Sequence, residues 1–189
     1  TLAGLAERRR EGFRRVDLAR HVSEVVSLAE REGLERVHLV GWSYGGILGG
    51  WTITQTDRFK AASLGAMVSD WTSEYGPGFN YDVRLWYIGG TPWENPEDYR
   101  EKSALTHVGQ VETPTLLLHG IEDRTDTEPQ SMMFFTALKD RGVPTRYIKF
   151  PRERHGFTEP RHMRTRDIEE ISWMQKYVLG KEWEPWERA

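Results

Sequence analysis

At 189 residues, with 38% hydrophobic and 29% charged residues and a net charge of -3, the chain reads as one folded domain spanning 1–189. It does not read as a disordered or membrane-embedded protein. The absence of cysteine excludes disulfides, thiolate metal sites and a cysteine nucleophile. Nucleic acid is not expected as a partner, because the dense basic cluster Arg8-Arg9-Arg10 is flanked by Glu7 and Glu11 and reads as a solvated helix face. No apolar stretch approaches the roughly 20 residues of a membrane span and the start carries no signal-peptide core, so no membrane partner is expected either. The chain begins at Thr1, which fits a processed or partial product. A cytoplasmic location is favoured, with a processed exported form as the alternative.

From about residue 4 to 32 the sequence is rich in Glu, Arg, Leu and Ala, with Leu18, Val22, Val25 and Ala29 on one stripe at helical spacing and Gly33 as the stop. Residues 36–40 read as a short strand. It runs into Gly41-Trp42-Ser43-Tyr44-Gly45-Gly46, and residues 44–56 read as the helix that follows. The glycines at 45, 46, 49 and 50 lower helix propensity and are expected to permit close packing of that helix on a sheet. Further strands are predicted at Ala61–Met67, Pro114–His119 and Thr145–Phe150. A helical pattern covers Met132–Leu138, closed by Gly142. The last periodic segment puts Ile168, Ile171, Met174 and Val178 on one helix face, with Gly180 as its stop. Strands alternating with helices imply right-handed crossovers and a mostly parallel sheet covered on both faces, an α/β architecture. Residues 69–110 break the rhythm with eight aromatics among glycines and prolines. This insertion either lines a pocket mouth or packs a helical excursion onto the sheet. The tail from Trp183 to Trp186 has no assigned role.

A serine on a tight strand-to-helix turn is pushed out of the sheet plane, and glycines two residues to either side relieve the crowding such a turn creates. Ser43 therefore reads as a nucleophile. The pattern is short and recurs by accident, so its surroundings must decide. A serine hydroxyl also needs an adjacent base, and that base a group that fixes its tautomer and stabilises its cation. Asp123, in the loop after the strand ending at His119, is the natural acid. His155 lies in the loop after the strand ending at Phe150. Serine, acid and histidine thus follow one another in the chain, each just past the end of a different strand. Rivals exist: His119 also ends a strand, although stabilising its own turn is its simpler role, and Glu122 and Asp126 share a loop with Asp123. His21 and His162 read as helix-surface residues, His38 lies within a strand and His107 in the insertion. No spacing of histidines and carboxylates matches a metal site, so no metal and no cofactor are expected.

Taken together these segments resemble the catalytic domain of the prolyl oligopeptidase family of serine peptidases, in particular its acylaminoacyl-peptidase and dipeptidyl-peptidase branches. The resemblance covers roughly residues 34–180 and rests on Gly41–Gly46, Thr54–Ala62, Pro92–Arg100, Thr113–Gly120, Gly142–Thr145 and His155–Phe157, in that order. It implies an α/β-hydrolase fold, a triad of Ser43, Asp123 and His155, and peptide or small acyl substrates, most simply short peptides. The backbone N–H of Tyr44 becomes a donor to the oxyanion. Trp71 and Tyr75, early in the insertion, become candidate walls for the residue before the scissile bond. A small-ester hydrolase is the alternative on the same fold, and a catalytically incomplete fragment or partner subunit is a further one.

The chain departs from the resembled pattern in three places. Where the family has an arginine, an apolar residue and a proline soon after the acid, this chain has Asp123-Arg124-Thr125-Asp126-Thr127, which brings an extra carboxylate. Arg154 stands where a smaller residue is common, and its charge is expected to disfavour the protonated form of His155. The strands that precede the serine strand in the family, with the turn that supplies the second oxyanion donor, have no counterpart in these residues. An unpaired serine-strand edge is therefore expected, and with it a homo-oligomer or a complementing upstream segment.

Overall fold

The computed structural model describes residues 18–35, 37–79 and 85–181. The Arg8–Arg10 cluster, Tyr81 and the Trp183–Trp186 tail lie outside these residues. The elements, in chain order, are α1 (Leu18–Arg31), β1 (His38–Trp42), α2 (Tyr44–Gln55), β2 (Ala61–Gly65), α3 (Trp71–Glu74), α4 (Pro96–Glu101), β3 (Thr115–Gly120), α5 (Pro129–Asp140), β4 (Thr145–Phe150) and α6 (Pro160–Leu179). A turn of π-helix at Leu85–Gly89 and a 3-10 helix at Ala104–Gln110 complete the aromatic-rich insertion.

The four strands form one parallel sheet in the order β1-β2-β3-β4. Every strand in this order follows its neighbour through a helical crossover, as alternating strands and helices require. Side-chain alternation then sorts the core. Leu64 and Leu117 point to the face covered by α2 and α5, where they meet Ile53, Phe134 and Leu138. Ala61, Leu116 and Leu118 point to the opposite face and meet Trp173 and Val178 of α6. Every residue of β3 is buried, as a central parallel strand covered on both sides must be. Each of its three leucines contributes about 1.5–3 kcal/mol by leaving water.

Two expectations about packing need correction. Ile171 is exposed, and the buried residues of α6 are Trp173 and Val178. The helix is turned so that Glu170 meets the sheet, where Ser63 Oγ donates to it at 3.0 Å, which an apolar count could not show. His21 and His162 are not helix-surface residues. His21 is buried and its Nδ1 lies 2.7 Å from Tyr44 Oη, while His162 Nδ1 lies 2.9 Å from Glu153.

The passage from β1 to α2 sets the active end of the molecule. Ser43 alone separates the two elements and takes φ 56° and ψ -122°, a conformation that costs a non-glycine residue about 1–3 kcal/mol. A side chain at Gly41 would run into the carbonyl of Gly45, and one at Gly46 would run into the carbonyl of Gly65 on β2. The expectation that Gly45 relieves this crowding is not met, since a side chain there has open space around it. The close approach belongs to the third residue after the serine because that is where α2 crosses β2. We predict that Gly41→Ala and Gly46→Ala each lower stability by about 2 kcal/mol or more, whereas Gly45→Ala leaves it unchanged or raises it by up to about 1 kcal/mol. Urea unfolding midpoints measure the contrast.

Candidate active site

Three loops leave the carboxyl ends of β1, β3 and β4, and the parallel register brings those ends together. Ser43 is fixed from both sides. Its N–H donates to Gly65 O at 2.9 Å and its carbonyl accepts from Ile47 N at 2.9 Å. Its Oγ lies 2.8 Å from His155 Nε2, and His155 Nδ1 lies 2.9 Å from Asp123 Oδ2. A carboxylate only accepts, so Nδ1 carries the proton and Nε2 offers its lone pair to the serine hydroxyl. Such an imidazole can take a proton from Ser43.

Asp123 is buried, and its position is determined by its own turn. Oδ1 accepts from Thr125 N at 2.9 Å and Asp126 N at 3.2 Å. Burial alone would raise its pKa, but hydrogen bonds from His119 and His155 and their charges overcome that and hold it down at about 2. The acid is thus ionised wherever the protein is folded near neutrality. His119 is a brace for this turn: its Nδ1 lies 2.7 Å from Ser131 Oγ and its Nε2 is 2.8 Å from Asp126 O. The pKa of His155 is raised, first by its hydrogen bond to Asp123, against its burial, and further by the charges of Asp123 and Asp126. The expected depression by Arg154 is therefore overturned, since two carboxylates face the ring and outweigh the neighbouring guanidinium.

Four further residues hold the site in ways that local spacing did not reveal. Asp126, buried in the loop of the acid, places Oδ2 3.5 Å from Ser43 Oγ. Trp42 Nε1 donates to His155 O at 2.8 Å, tying the serine strand to the histidine loop. Glu74 of α3 accepts from Thr127 N at 3.0 Å and from its hydroxyl, latching the insertion to the acid loop. Glu153, two residues before His155, is fully buried and accepts from Thr158 N and Glu159 N at 2.8 Å each and from His162 Nδ1 at 2.9 Å. The spacing Glu-x-His was the only sequence signal for it.

Among the described residues, Glu153, Glu159 and His162 form one group whose ligand atoms would suit a cation. Its oxygens are already engaged, Glu153 as above and Glu159 by a bidentate contact with Arg152 at 2.7 and 2.8 Å. The group reads as a hydrogen-bonded anchor for the start of α6.

Tyr44 opens α2, and the first N–H groups of a helix lack intrahelical acceptors. Its ring stacks on Tyr87 of the insertion with centroids 5.5 Å apart. Trp71 is buried with Ile47, Val68, Ile88 and Tyr99, and its Nε1 donates to Lys102 O at 3.0 Å. Tyr75 is half-buried against that cluster and meets Trp93 edge-on at 5.2 Å. The insertion thus packs as a helical excursion, and it brings the Tyr87 ring against Tyr44, the residue after the serine. A separate cleft of about 600 Å³ opens beside His155 and is walled in part by Phe79 and Arg124.

Two measurements check these forces. Because the facing carboxylates favour the imidazolium, His155 should titrate above the ordinary value of 6.5 by NMR, and Asp126→Asn should move it downward. The neutral, proton-accepting ring then persists to lower pH in the variant. Glu153→Ala should destabilise the fold by about 1–3 kcal/mol in denaturant unfolding, because it leaves several part-buried donors of the histidine loop and α6 unpaired. Burial would raise the Glu153 pKa, but its hydrogen bonds lower it. This contribution is therefore present above the unfolded carboxyl pKa and fades as pH falls through the folded one.

The chain has counterparts among known proteins. The model of the prolyl oligopeptidase family matches residues 16–181. The uncharacterised peptidase YuxL of Bacillus subtilis is 32% identical over 151 residues, covering 79% of this chain. Pyrococcus horikoshii acylaminoacyl peptidase superposes over 89% of the chain with a TM-score of 0.74 and 31% identity. A puromycin-hydrolysing peptidase of Mycobacterium tuberculosis superposes over 85% with a TM-score of 0.76 and 28% identity. The chain spans about a quarter of each of these longer proteins, 23%, 28% and 25% respectively. A family match that runs across nearly all the described residues means that the chain belongs to the prolyl oligopeptidase family of serine peptidases, with the α/β-hydrolase fold of its solved relatives.

Proposed function

We propose that this chain carries the catalytic triad of a peptidase that cleaves short peptides through an acyl-enzyme. Ser43 Oγ attacks the substrate carbonyl while its proton passes to His155 Nε2. The tetrahedral oxyanion receives the Tyr44 N–H, His155 then protonates the leaving nitrogen, and the carbon–nitrogen bond breaks. Water repeats the attack on the ester with His155 again as base, which frees the acid and restores Ser43. Asp123 keeps the imidazole in the required tautomer and stabilises its cation. The observation that carries this reading is the unbroken contact from Ser43 through His155 to a buried, ionised Asp123, at 2.8 and 2.9 Å. Tyr75, with Trp71 beneath it, is proposed to wall the acyl side of the site.

We propose in addition that the outer edge of β1 receives another strand, from a further segment of the same protein or from a second copy, and that a second oxyanion donor arrives with it. Among the described residues β1 is an edge strand, and Val40 in its middle is 58% exposed. Losing one oxyanion donor costs roughly 100- to 1000-fold in rate. The isolated 189-residue chain should therefore turn over an aminoacyl or acyl-aminoacyl anilide slower than the full-length protein by about that factor.

A fluorophosphonate probe tests the assembled site. It should label Ser43 in the full-length protein. Ser43→Ala should abolish labelling, and Ser43→Ala or His155→Ala should lower kcat/KM by at least about 1000-fold. Turnover of a p-nitrophenyl ester without turnover of any amide would replace the peptidase by an esterase. No labelling in the full-length protein would reject both enzymes in favour of a catalytically incomplete partner.

A further inference from the structure

The cleft of about 600 Å³ beside His155 is large enough for one or two amino-acid residues. Its walls are the acid loop, with Ile121, Glu122 and Arg124, the residues Arg154 and His155 of the histidine loop, and Phe79 from the insertion. Phe79 N donates to Arg124 O at 2.7 Å, so the apolar wall and the acid loop are joined by backbone. Phe79 and Ile121 are 66% and 49% exposed, an apolar lining that nothing in the described protein covers.

The charges in the cleft are unequally engaged. Arg124 and Arg154 both line it, and neither guanidinium has an ion pair or hydrogen bond among the described residues. The acids nearest to them in sequence are otherwise engaged. Asp123 is held by His155 and His119, and Glu153 by Thr158, Glu159 and His162. Glu122 remains in the cleft, within electrostatic reach of Arg152. Glu122 and Asp123 balance the two arginines in formal charge, but Arg124 and Arg154 are the cleft guanidinium groups left without a partner, and guanidinium groups match carboxylates in shape and donor geometry.

The position of the cleft says which part of a substrate enters it. In the proposed reaction the imidazolium gives its proton to the leaving nitrogen, so the leaving chain must pass along His155. The acyl chain then lies on the other side, toward Tyr44 and the Trp71–Tyr75 part of the insertion. We infer that this cleft is the leaving-group subsite, and that Arg124 and Arg154 select leaving groups that end in a free carboxylate, as the last one or two residues of a peptide do. Phe79 and Ile121 receive an apolar side chain of the departing residue. The inference rests on the triad reading and adds to it the end of the peptide at which cleavage occurs.

The test uses the full-length protein with three substrates: N-acetyl-Phe-Leu with a free carboxylate, the same peptide as its C-terminal amide, and N-acetyl-Phe p-nitroanilide. The readout is the ratio of kcat/KM for the acid to that for the amide, which cancels any general effect on Ser43 chemistry. An exposed ion pair is worth up to about fivefold, so the two arginines together predict a ratio of about 10 or more, falling with added salt. Arg124→Gln and Arg154→Gln should each lower the ratio severalfold, the double variant should bring it near one, and lysine at either position should restore part of it. A ratio near one in the wild type, with the anilide turned over, would overturn the subsite and leave the triad standing. So would a ratio that the double glutamine variant leaves unchanged. No Ser43-dependent turnover of any of the three would overturn the peptidase reading, and the subsite with it.

Discussion

The site depends on a hydrogen bond between His155 Nδ1 and Asp123 Oδ2, one group half-buried and the other fully so. A carboxylate removed from water is costly unless its lone pairs are occupied, and here two backbone N–H groups and two imidazoles occupy them. That arrangement keeps Asp123 charged, which fixes the proton on Nδ1 and turns the other ring nitrogen toward Ser43. The acid must come from a turn that folds back on itself, and the histidine loop must come close enough for the ring to reach it. Most other features of the carboxyl end of the sheet serve those two requirements.

The histidine loop is held at three points. Trp42 grips its backbone from the serine strand, Glu153 secures it to the start of α6, and Glu122 N donates to Glu153 O from the acid loop at 2.9 Å. The acid loop is braced beneath by His119 and from the side by Glu74. Two of these ties, Trp42 with His155 and Glu74 with Thr127, join residues more than fifty positions apart. The strain at Ser43 persists because the surrounding contacts over-determine it: Gly41 and Gly46 leave room for α2 to rise from the sheet, and two backbone hydrogen bonds hold the serine on either side.

Much of the fold was legible because β2 and β3, buried throughout, write themselves as short apolar runs, and the partly exposed edge strand β4 as a cluster of β-branched and aromatic residues. Thr145–Phe150 was read with its observed limits, and the other three strands to within two residues. The order Ser43, Asp123, His155 was legible because each lies in a loop just past a strand that could be read from the sequence. The supporting residues were not. Asp126 and Glu153 look like solvated loop carboxylates until the loops are folded against each other, and His21 looks exposed until α1 lies over Tyr44. On α6 the expected face holds at Met174 and Val178 but fails at Ile171, which is exposed while Glu170 meets the sheet. Local pattern reports which residues leave water together within one element, and it is silent on which polar groups meet between elements.

The central claim is that Ser43 forms a covalent acyl intermediate by giving its proton to His155. The most direct measurement is intact-mass and peptide-level mass spectrometry of the full-length protein quenched in acid during turnover of a p-nitrophenyl ester. The account predicts an acyl group on the peptide that contains Ser43, absent in Ser43→Ala. Turnover with no acyl adduct at that serine, or with the adduct on another residue, would contradict it.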